Sequence, residues 1–212
     1  MKFEDTIEDF AGQPLTRQIL LNILKEYRRP YDKMSELVHQ KAIIPIKRGI
    51  YIAGPALKIA TPEPFLLANH LHGPSYVSMQ TALSHWQLIP ERVYEISSVT
   101  TGHSKTYDTP LGRFSYTHLE LPYYSYGQQQ ITLAKNQVAL IGSPEKSICD
   151  TIIGTKGLLF RSRRHLREWL IEDMRIDKEA LRTLRTSIMR DWLTHSPKKN
   201  SIDLLIKTLE NL

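Results

Sequence analysis

The first regular pattern of apolar positions lies in PLTRQILLNILKEY, which begins at Pro14. Leu15, Ile19 and Ile23 recur at every fourth residue, which is the spacing of an amphipathic helix. Proline fits the beginning of a helix because its missing N–H needs no partner there. The residue before a proline is disfavoured in the α conformation, so we predict that this helix ends before Pro30.

A second, shorter helix is predicted over residues 32–40, and the hairpin sequence IIPIKRGIYI follows at 43–52. Two β-branched runs flank Lys-Arg-Gly in that hairpin, and the order helix, helix, hairpin is typical of a winged helix-turn-helix. We assign residues 1–56 to such a module. The full motif has three helices, so residues 3–11 would have to supply the remaining one, or else the motif is trimmed.

Beyond residue 56 the pattern changes to short β-type runs and short helices. Strands are predicted at 92–101, 112–121, 129–134 and 137–141. Helices are predicted at 64–72, 79–86 and 144–154, with Ser78 and Ser143 as N-caps of the last two. The sequence TPLG at 109–112 has proline and glycine where a turn between strands needs them. We therefore predict an α+β domain over 57–155, with an antiparallel sheet and packed helices.

The remaining part of the chain, 156–212, is predicted to be helical and basic. Arginine and lysine outnumber the acids between Phe160 and Arg190, and Asp177 is placed to cap a helix there. A last helix is predicted in SIDLLIKTLENL. We assign this region and the preceding α+β core to one second domain, 57–212.

The composition agrees with a globular protein that carries a modest positive charge. The 212 residues are 41% apolar, and 28 lysines and arginines exceed 22 acids, giving a net charge of +6. That balance permits an anionic partner without requiring one. The single cysteine excludes an intrachain disulfide, the acidic beginning is unlike a signal peptide, and no apolar run approaches the roughly 20 residues of a membrane span. We expect a cytoplasmic protein without membrane contact.

The basic and polar residues of the first module are the candidate DNA contacts. Those predicted to bind phosphates lie before the second helix and at the hairpin tip, where glycine provides the turn: Arg28, Arg29, Lys47 and Arg48. Those predicted to face the groove lie on the short helix: Lys33, Ser35 and His39. For each of these residues the alternative is a solvated surface position.

The arginines of the C-terminal helices form a second candidate surface. The candidates are Arg163, Arg164, Arg167, Arg182 and Arg185, of which Arg182 and Arg185 share one helix face. Such a face fits nucleic acid or an acidic partner. The alternative is a solvated face whose charges pair within the helix.

No catalytic or cofactor motif is visible in the sequence. The densest histidine pair, His70 and His72, ends a predicted helix, where neighbours two positions apart diverge and do not share a metal. Cys149 lies inside a predicted helix, which indicates a buried small hydrophobe and not a reactive thiolate. Phosphate-binding glycine loops and the G-x-S-x-G elbow are absent from the sequence. We expect no enzyme, no metal and no cofactor.

An ordered set of short motifs resembles the AbiEi family, the antitoxin component of type IV toxin-antitoxin systems. The set comprises KRGIY at 47–51, PSYVS at 74–78, LIPE at 88–91, SSVTT at 97–101, TPLGRFSY at 109–116, Tyr126-Gly127 and SPEKSICD at 143–150. The resemblance covers roughly residues 41–155. It implies a winged-helix domain that binds the promoter of its own operon and represses it, and a second domain that counters a nucleotidyltransferase-like toxin, without requiring a stable complex.

Two function classes follow from these observations. The first is a DNA-binding autorepressor and antitoxin, whose partners are double-stranded promoter DNA and a nucleotidyltransferase-like toxin. The second is a protein that neutralises a toxin or binds a partner without sequence-specific DNA recognition. We expect them to differ in whether the protein prefers its own upstream DNA.

Overall fold

The computed structural model describes residues 3–91, 93–134 and 136–212 and has an α+β fold with two sheets. The first part contains, in chain order, α1 (Phe3–Ile7), β1 (Leu15–Thr16), α2 (Arg17–Ile23), α3 (Pro30–His39), β2 (Ile43–Lys47) and β3 (Ile50–Ala53). The three strands form an antiparallel sheet in the order β1, β3, β2. Residues 3–7 thus form a helix before the two that the sequence pattern predicts.

The helix predicted from Pro14 begins later and ends earlier than expected. Leu15 and Thr16 pair with β3 as a short strand, and the Thr16 hydroxyl accepts a hydrogen bond from the Ile19 N–H at 3.2 Å. Thr16 is therefore the N-cap, because its side chain satisfies an N–H that the first helical turn leaves free. Pro30 begins α3 at its first position, where its fixed φ suits a helix.

The first core lies between these helices and one face of the three-stranded sheet. Phe3, Ile7, Leu20, Leu24 and Leu37 are among its fully or almost fully buried side chains. Burying side chains of this size provides about 1.5–3 kcal/mol each relative to exposure. The predicted apolar stripe is thus confirmed as a core face, although its first residue belongs to a strand.

The second part of the chain surrounds a six-stranded sheet. It contains α4 (Pro64–Leu71), β4 (Ser75–Val77), α5 (Met79–His85), β5 (Glu95–Thr100), β6 (Lys105–Thr109), β7 (Gly112–His118), β8 (Gln128–Thr132), β9 (Val138–Gly142) and α6 (Pro144–Gly154). The strand order is β6, β7, β5, β4, β9, β8. The four predicted strands and three predicted helices are confirmed in position to within a few residues.

The prediction of an antiparallel sheet is wrong, because the sheet is mixed. β4 runs parallel to β9 and β5 runs parallel to β7, while the other pairs are antiparallel. The sequence pattern predicts neither β4, which is three residues long, nor β6. The chain reverses direction between β5 and β6 and again between β6 and β7, at the predicted TPLG turn. β7 therefore runs parallel to β5 and lies beside it in the sheet.

The two faces of the large sheet contact different parts of the protein. One face carries Phe114 and Tyr116 and packs with α4 and with Ile46 and Ile52 of the β2–β3 hairpin. The other face carries Tyr76 and packs with α5, α6 and the C-terminal helices. The hairpin therefore lies between the first core and the large sheet, with a buried face toward each.

The C-terminal residues are helical, as predicted. They form α7 (Arg163–Glu168), a π-helical turn (Trp169–Asp173), α8 (Lys178–Arg182), α9 (Thr186–Leu193) and α10 (Lys199–Leu209). Asp177 caps α8, since its carboxylate accepts from the N–H groups of Glu179 and Ala180 at 2.8 and 3.3 Å. These helices cover α6 and complete the core on that side of the sheet.

Candidate nucleic-acid interface

Helix α3 is held against the first core by one apolar side and exposes the other. Met34 and Leu37 are buried, whereas Ser35 and His39 are exposed one turn apart. The Ser35 hydroxyl donates to the Tyr31 carbonyl at 3.1 Å, a bond within the helix that leaves both of its lone pairs as acceptors. Ser35 and His39 thus lie together on the outer side of α3, as the sequence predicted.

A hollow of about 310 Å³ adjoins this outer side. Its lining residues come from α3 and the hairpin: Met34, Ser35, Val38, His39, Pro45 and Tyr51. A surface of this kind combines a hydroxyl and an imidazole with apolar patches and carries no carboxylate. Hydroxyl groups contact base edges and phosphates, and apolar groups contact the thymine methyl.

Lys33, unlike Ser35 and His39, is directed toward other side chains of the protein. Its ammonium lies 2.9 Å from the Glu36 carboxylate and 5.6 Å from the centre of the Tyr27 ring. The hydrogen bond to Glu36 raises the pKa of Lys33, and the same bond lowers the pKa of Glu36. Lys33 is therefore engaged within the protein and is the least available of the residues predicted on α3.

Arg28 and Arg29 lie in the exposed connection between α2 and α3. Arg29 is 3.6 Å from Asp32 in the first turn of α3, and both side chains are mostly exposed. Exposed pairs of this kind contribute about 0–1 kcal/mol and exchange partners readily. Both arginines can therefore reach a phosphate beside the N-terminal end of α3.

The hairpin tip separates its two cations. Gly49 has a φ of 86°, in the left-handed region that favours glycine, and its carbonyl accepts from the Arg17 N–H at 2.9 Å. Arg48 is exposed, whereas Lys47 is half-buried and donates to the Leu71 carbonyl at the end of α4. The Lys47 ammonium also lies 5.0 Å from the centre of the Tyr107 ring on β6.

The structure divides the five predicted C-terminal arginines into two groups. Arg164 pairs with Glu168 at 2.8 Å, Arg182 with Glu179 at 2.5 Å and Arg185 with Glu145 at 3.3 Å. Arg163 and Arg167 are exposed, and neither forms an ion pair within 3–91, 93–134 and 136–212. They line a hollow of about 260 Å³ together with Arg164, Thr208, Asn211 and Leu212.

A buried polar cluster, not predicted from the sequence, lies beneath α6. The Lys146 ammonium is 3.0 Å from the Asp150 carboxylate and 3.3 Å from the centre of the Tyr123 ring, and both charged side chains are fully buried. Tyr76 and Ser78 donate hydroxyl hydrogen bonds to Asp150 at 2.8 and 2.7 Å. The cluster joins α6 to the centre of the large sheet.

Burial and the surrounding donors set the ionisation of this cluster. Burial lowers the pKa of Lys146, against the opposite effect of the Asp150 carboxylate. Burial and the nearby carboxylate raise the pKa of Tyr76 well above its ordinary value. Every member of the cluster is enclosed, so a substrate cannot reach it as it reaches the open pocket of a catalytic site. We therefore describe Lys146 and Asp150 as a structural ion pair.

The free cysteine and the metal-binding side chains do not form a site in the described part of the chain. Cys149 is buried, and burial raises the pKa of its thiol, as expected of a small hydrophobe. In the described part of the chain, no three side chains among His, Cys, Asp and Glu come together as a metal site.

None of the described helices combines the length and apolar character needed to cross a membrane.

No protein-family model matches the chain, and a search of curated proteins found no significant match.

Proposed function

We propose that the protein is the antitoxin of a type IV toxin-antitoxin system and represses its own operon through an N-terminal winged helix-turn-helix. One observation carries the DNA-binding part. The order α1, β1, α2, α3, β2, β3, in which a hairpin follows the helices, supports a winged helix-turn-helix. In that arrangement α3 would be the recognition helix, with Ser35 and His39 on its exposed side.

The charges around α3 agree with this proposal. Arg28 and Arg29 flank the N-terminal end of the helix, and Arg48 lies exposed at the hairpin tip. Cations on both sides of a groove-reading helix bind the phosphates that border the groove and fix the register of the protein on DNA. Because Lys33 pairs with Glu36, the base contacts in this proposal are given to Ser35 and His39.

The test is a titration of the purified protein onto its own upstream DNA at two salt concentrations. We expect preferential binding over unrelated DNA of equal length, with an affinity that falls steeply with salt because phosphate contacts release counterions. Equal and weak binding to both DNAs would contradict sequence recognition. A reporter fused to the same upstream region should be repressed when the protein is supplied.

The antitoxin part of the proposal rests on the resemblance between residues 41–155 and the AbiEi family. In the structure, the motifs PSYVS and SPEKSICD supply Tyr76, Ser78, Lys146 and Asp150 to the buried cluster. The test is to express the nucleotidyltransferase-like protein that this proposal expects a neighbouring gene to encode. Its expression alone should arrest growth, and coexpression of this protein should restore growth.

A second candidate function, partner binding without DNA recognition, is favoured by the unpaired Arg163 and Arg167. These like charges are one helical turn apart, an arrangement that weakens a helix unless an anion lies between them. An acidic protein surface would provide that anion.

For this second function we predict that the double variant Arg163→Glu and Arg167→Glu no longer retains the neighbouring nucleotidyltransferase in a pull-down. Both side chains are exposed, so the fold should persist. The control is the double reversal Lys156→Glu and Lys199→Glu, which changes the net charge equally at other exposed sites. Failure of the unaltered protein to retain the enzyme in mild salt would contradict this function.

A further inference from the structure

Two lysines from two parts of the chain meet at one tyrosine ring beside the tip of the β2–β3 hairpin. Lys47 and Lys105 each place the ammonium nitrogen 5.0 Å from the centre of the same ring, that of Tyr107. Arg48 follows Lys47 directly and is exposed. We define these residues, Lys47, Arg48, Lys105 and Tyr107, as the tip patch.

The position of Tyr107 is fixed by its neighbours. Its hydroxyl lies 3.4 Å from a ring nitrogen of His72, and its ring contacts the ring of Tyr116 edge to face. Tyr116 is in turn buried and donates to the Ala68 carbonyl at 2.7 Å. The ring that carries the two ammonium groups is thus attached to the large sheet and to α4.

Carboxylates that would neutralise the tip patch are not in contact with it. In the part of the chain that the structure describes, Lys47, Arg48 and Lys105 form no ion pair. Asp108 follows Tyr107 on β6, but alternate residues of a strand point to opposite faces, and its partner across the sheet is Arg113. The protein therefore brings like charges together and leaves them without an internal counterion.

We propose that the tip patch is a composite phosphate site, in which Lys105 of the large sheet acts with Arg48 and Lys47 of the hairpin on the DNA backbone. This inference rests on the proposed function, since it extends the footprint of a winged helix beyond residues 1–56. Unneutralised cations beside an exposed hairpin tip are the arrangement that binds a phosphodiester chain and releases its counterions.

The contacts of Lys47 agree with such a site. An ammonium group has three donors, and the Leu71 carbonyl accepts one of them. The Tyr107 ring attracts the charge through its face, so Lys47 is held in place with hydrogen-bonding capacity left for a phosphate oxygen. Lys105 is exposed and reaches the same region from β6.

The experiment measures the affinity of the full chain for its own upstream DNA over a series of salt concentrations. Variants Lys105→Ala and Arg48→Ala are compared with Lys156→Ala, an exposed lysine after α6 on the other side of the sheet. Each tip variant should reduce the slope of log affinity against log salt by about 0.9, the value for one phosphate contact. Lys156→Ala should leave the slope unchanged.

The outcomes separate this inference from the proposed function. If Arg48→Ala reduces the slope and Lys105→Ala does not, the hairpin binds DNA alone and the composite site is wrong. If the unaltered protein shows no preference for its upstream DNA, the proposed function is wrong and the inference fails with it. A reduced slope for both tip variants, with thermal stability equal to that of the unaltered protein, supports the composite site.

Discussion

Replacing Asp150 with alanine is expected to lower the free energy of unfolding by about 3–5 kcal/mol, the usual result of leaving a buried charge without its partner. The Asp150 carboxylate is the counterion of Lys146 and the acceptor for Tyr76 and Ser78. Its removal leaves an ammonium group and two hydroxyl groups in a site without water-accessible surface. Chemical denaturation followed by circular dichroism measures the change.

The matched control is Asp203→Ala, which removes another Asp from a Lys–Asp pair four residues apart. Asp203 and Lys207 lie on α10 with 31% and 55% of their side-chain surfaces exposed. Exposed helix pairs contribute about 0.3–0.5 kcal/mol, so this variant should be nearly as stable as the unaltered protein. Equal losses in the two variants would contradict the description of Lys146 and Asp150 as a buried ion pair.

Replacing Ser35 with glutamate is expected to weaken binding to the upstream DNA by at least about 100-fold. A carboxylate on the outer side of α3 would face the phosphates of the groove, and like charges opposed in an interface cost several kcal/mol, where each 1.4 kcal/mol is tenfold. The helix itself should tolerate the change, because Ser35 is exposed and glutamate is the better helix former. An electrophoretic mobility shift or fluorescence anisotropy titration provides the measurement.

Ser187→Glu is the control for that variant, since Ser187 is also an exposed serine within a helix, α9. The two variants have the same net charge and differ only in where the carboxylate lies. Undiminished DNA binding by Ser35→Glu would remove α3 from the interface. A similar loss in both variants would indicate a general effect of charge and not a contact.

Local signals in the sequence predicted most of the elements but not how the strands pair. The Ser143 cap and Pro144 fixed the start of α6, and the TPLG turn fixed the hairpin that joins β6 to β7. The parallel pairing of β5 with β7 has no local signal, because it depends on which strands meet after the chain reverses. A two-residue strand such as β1 is also too short for any periodic pattern.

In the candidate interface, too, local signals predicted the exposed residues but not the contacts made through tertiary packing. Ser35, His39 and Arg48 are exposed, as helix and hairpin periodicity predicted. The contacts of Lys47 and Lys105 with Tyr107 depend on tertiary packing, and the sequence pattern did not predict β6, the strand that carries Lys105 and Tyr107. The buried ion pair did have a signal, since Lys146 and Asp150 are four residues apart in a predicted helix.

The two-sided hairpin also affects how the chain matures during synthesis. Ile52 is made long before Phe114 and Ile141, yet all three belong to the same buried cluster, so the second face of the hairpin is fully buried only after the strands of the large sheet have been made. Exposed apolar surface on a nascent chain favours aggregation and attracts chaperones. The first module therefore completes the burial of its hairpin only with residues that leave the ribosome much later.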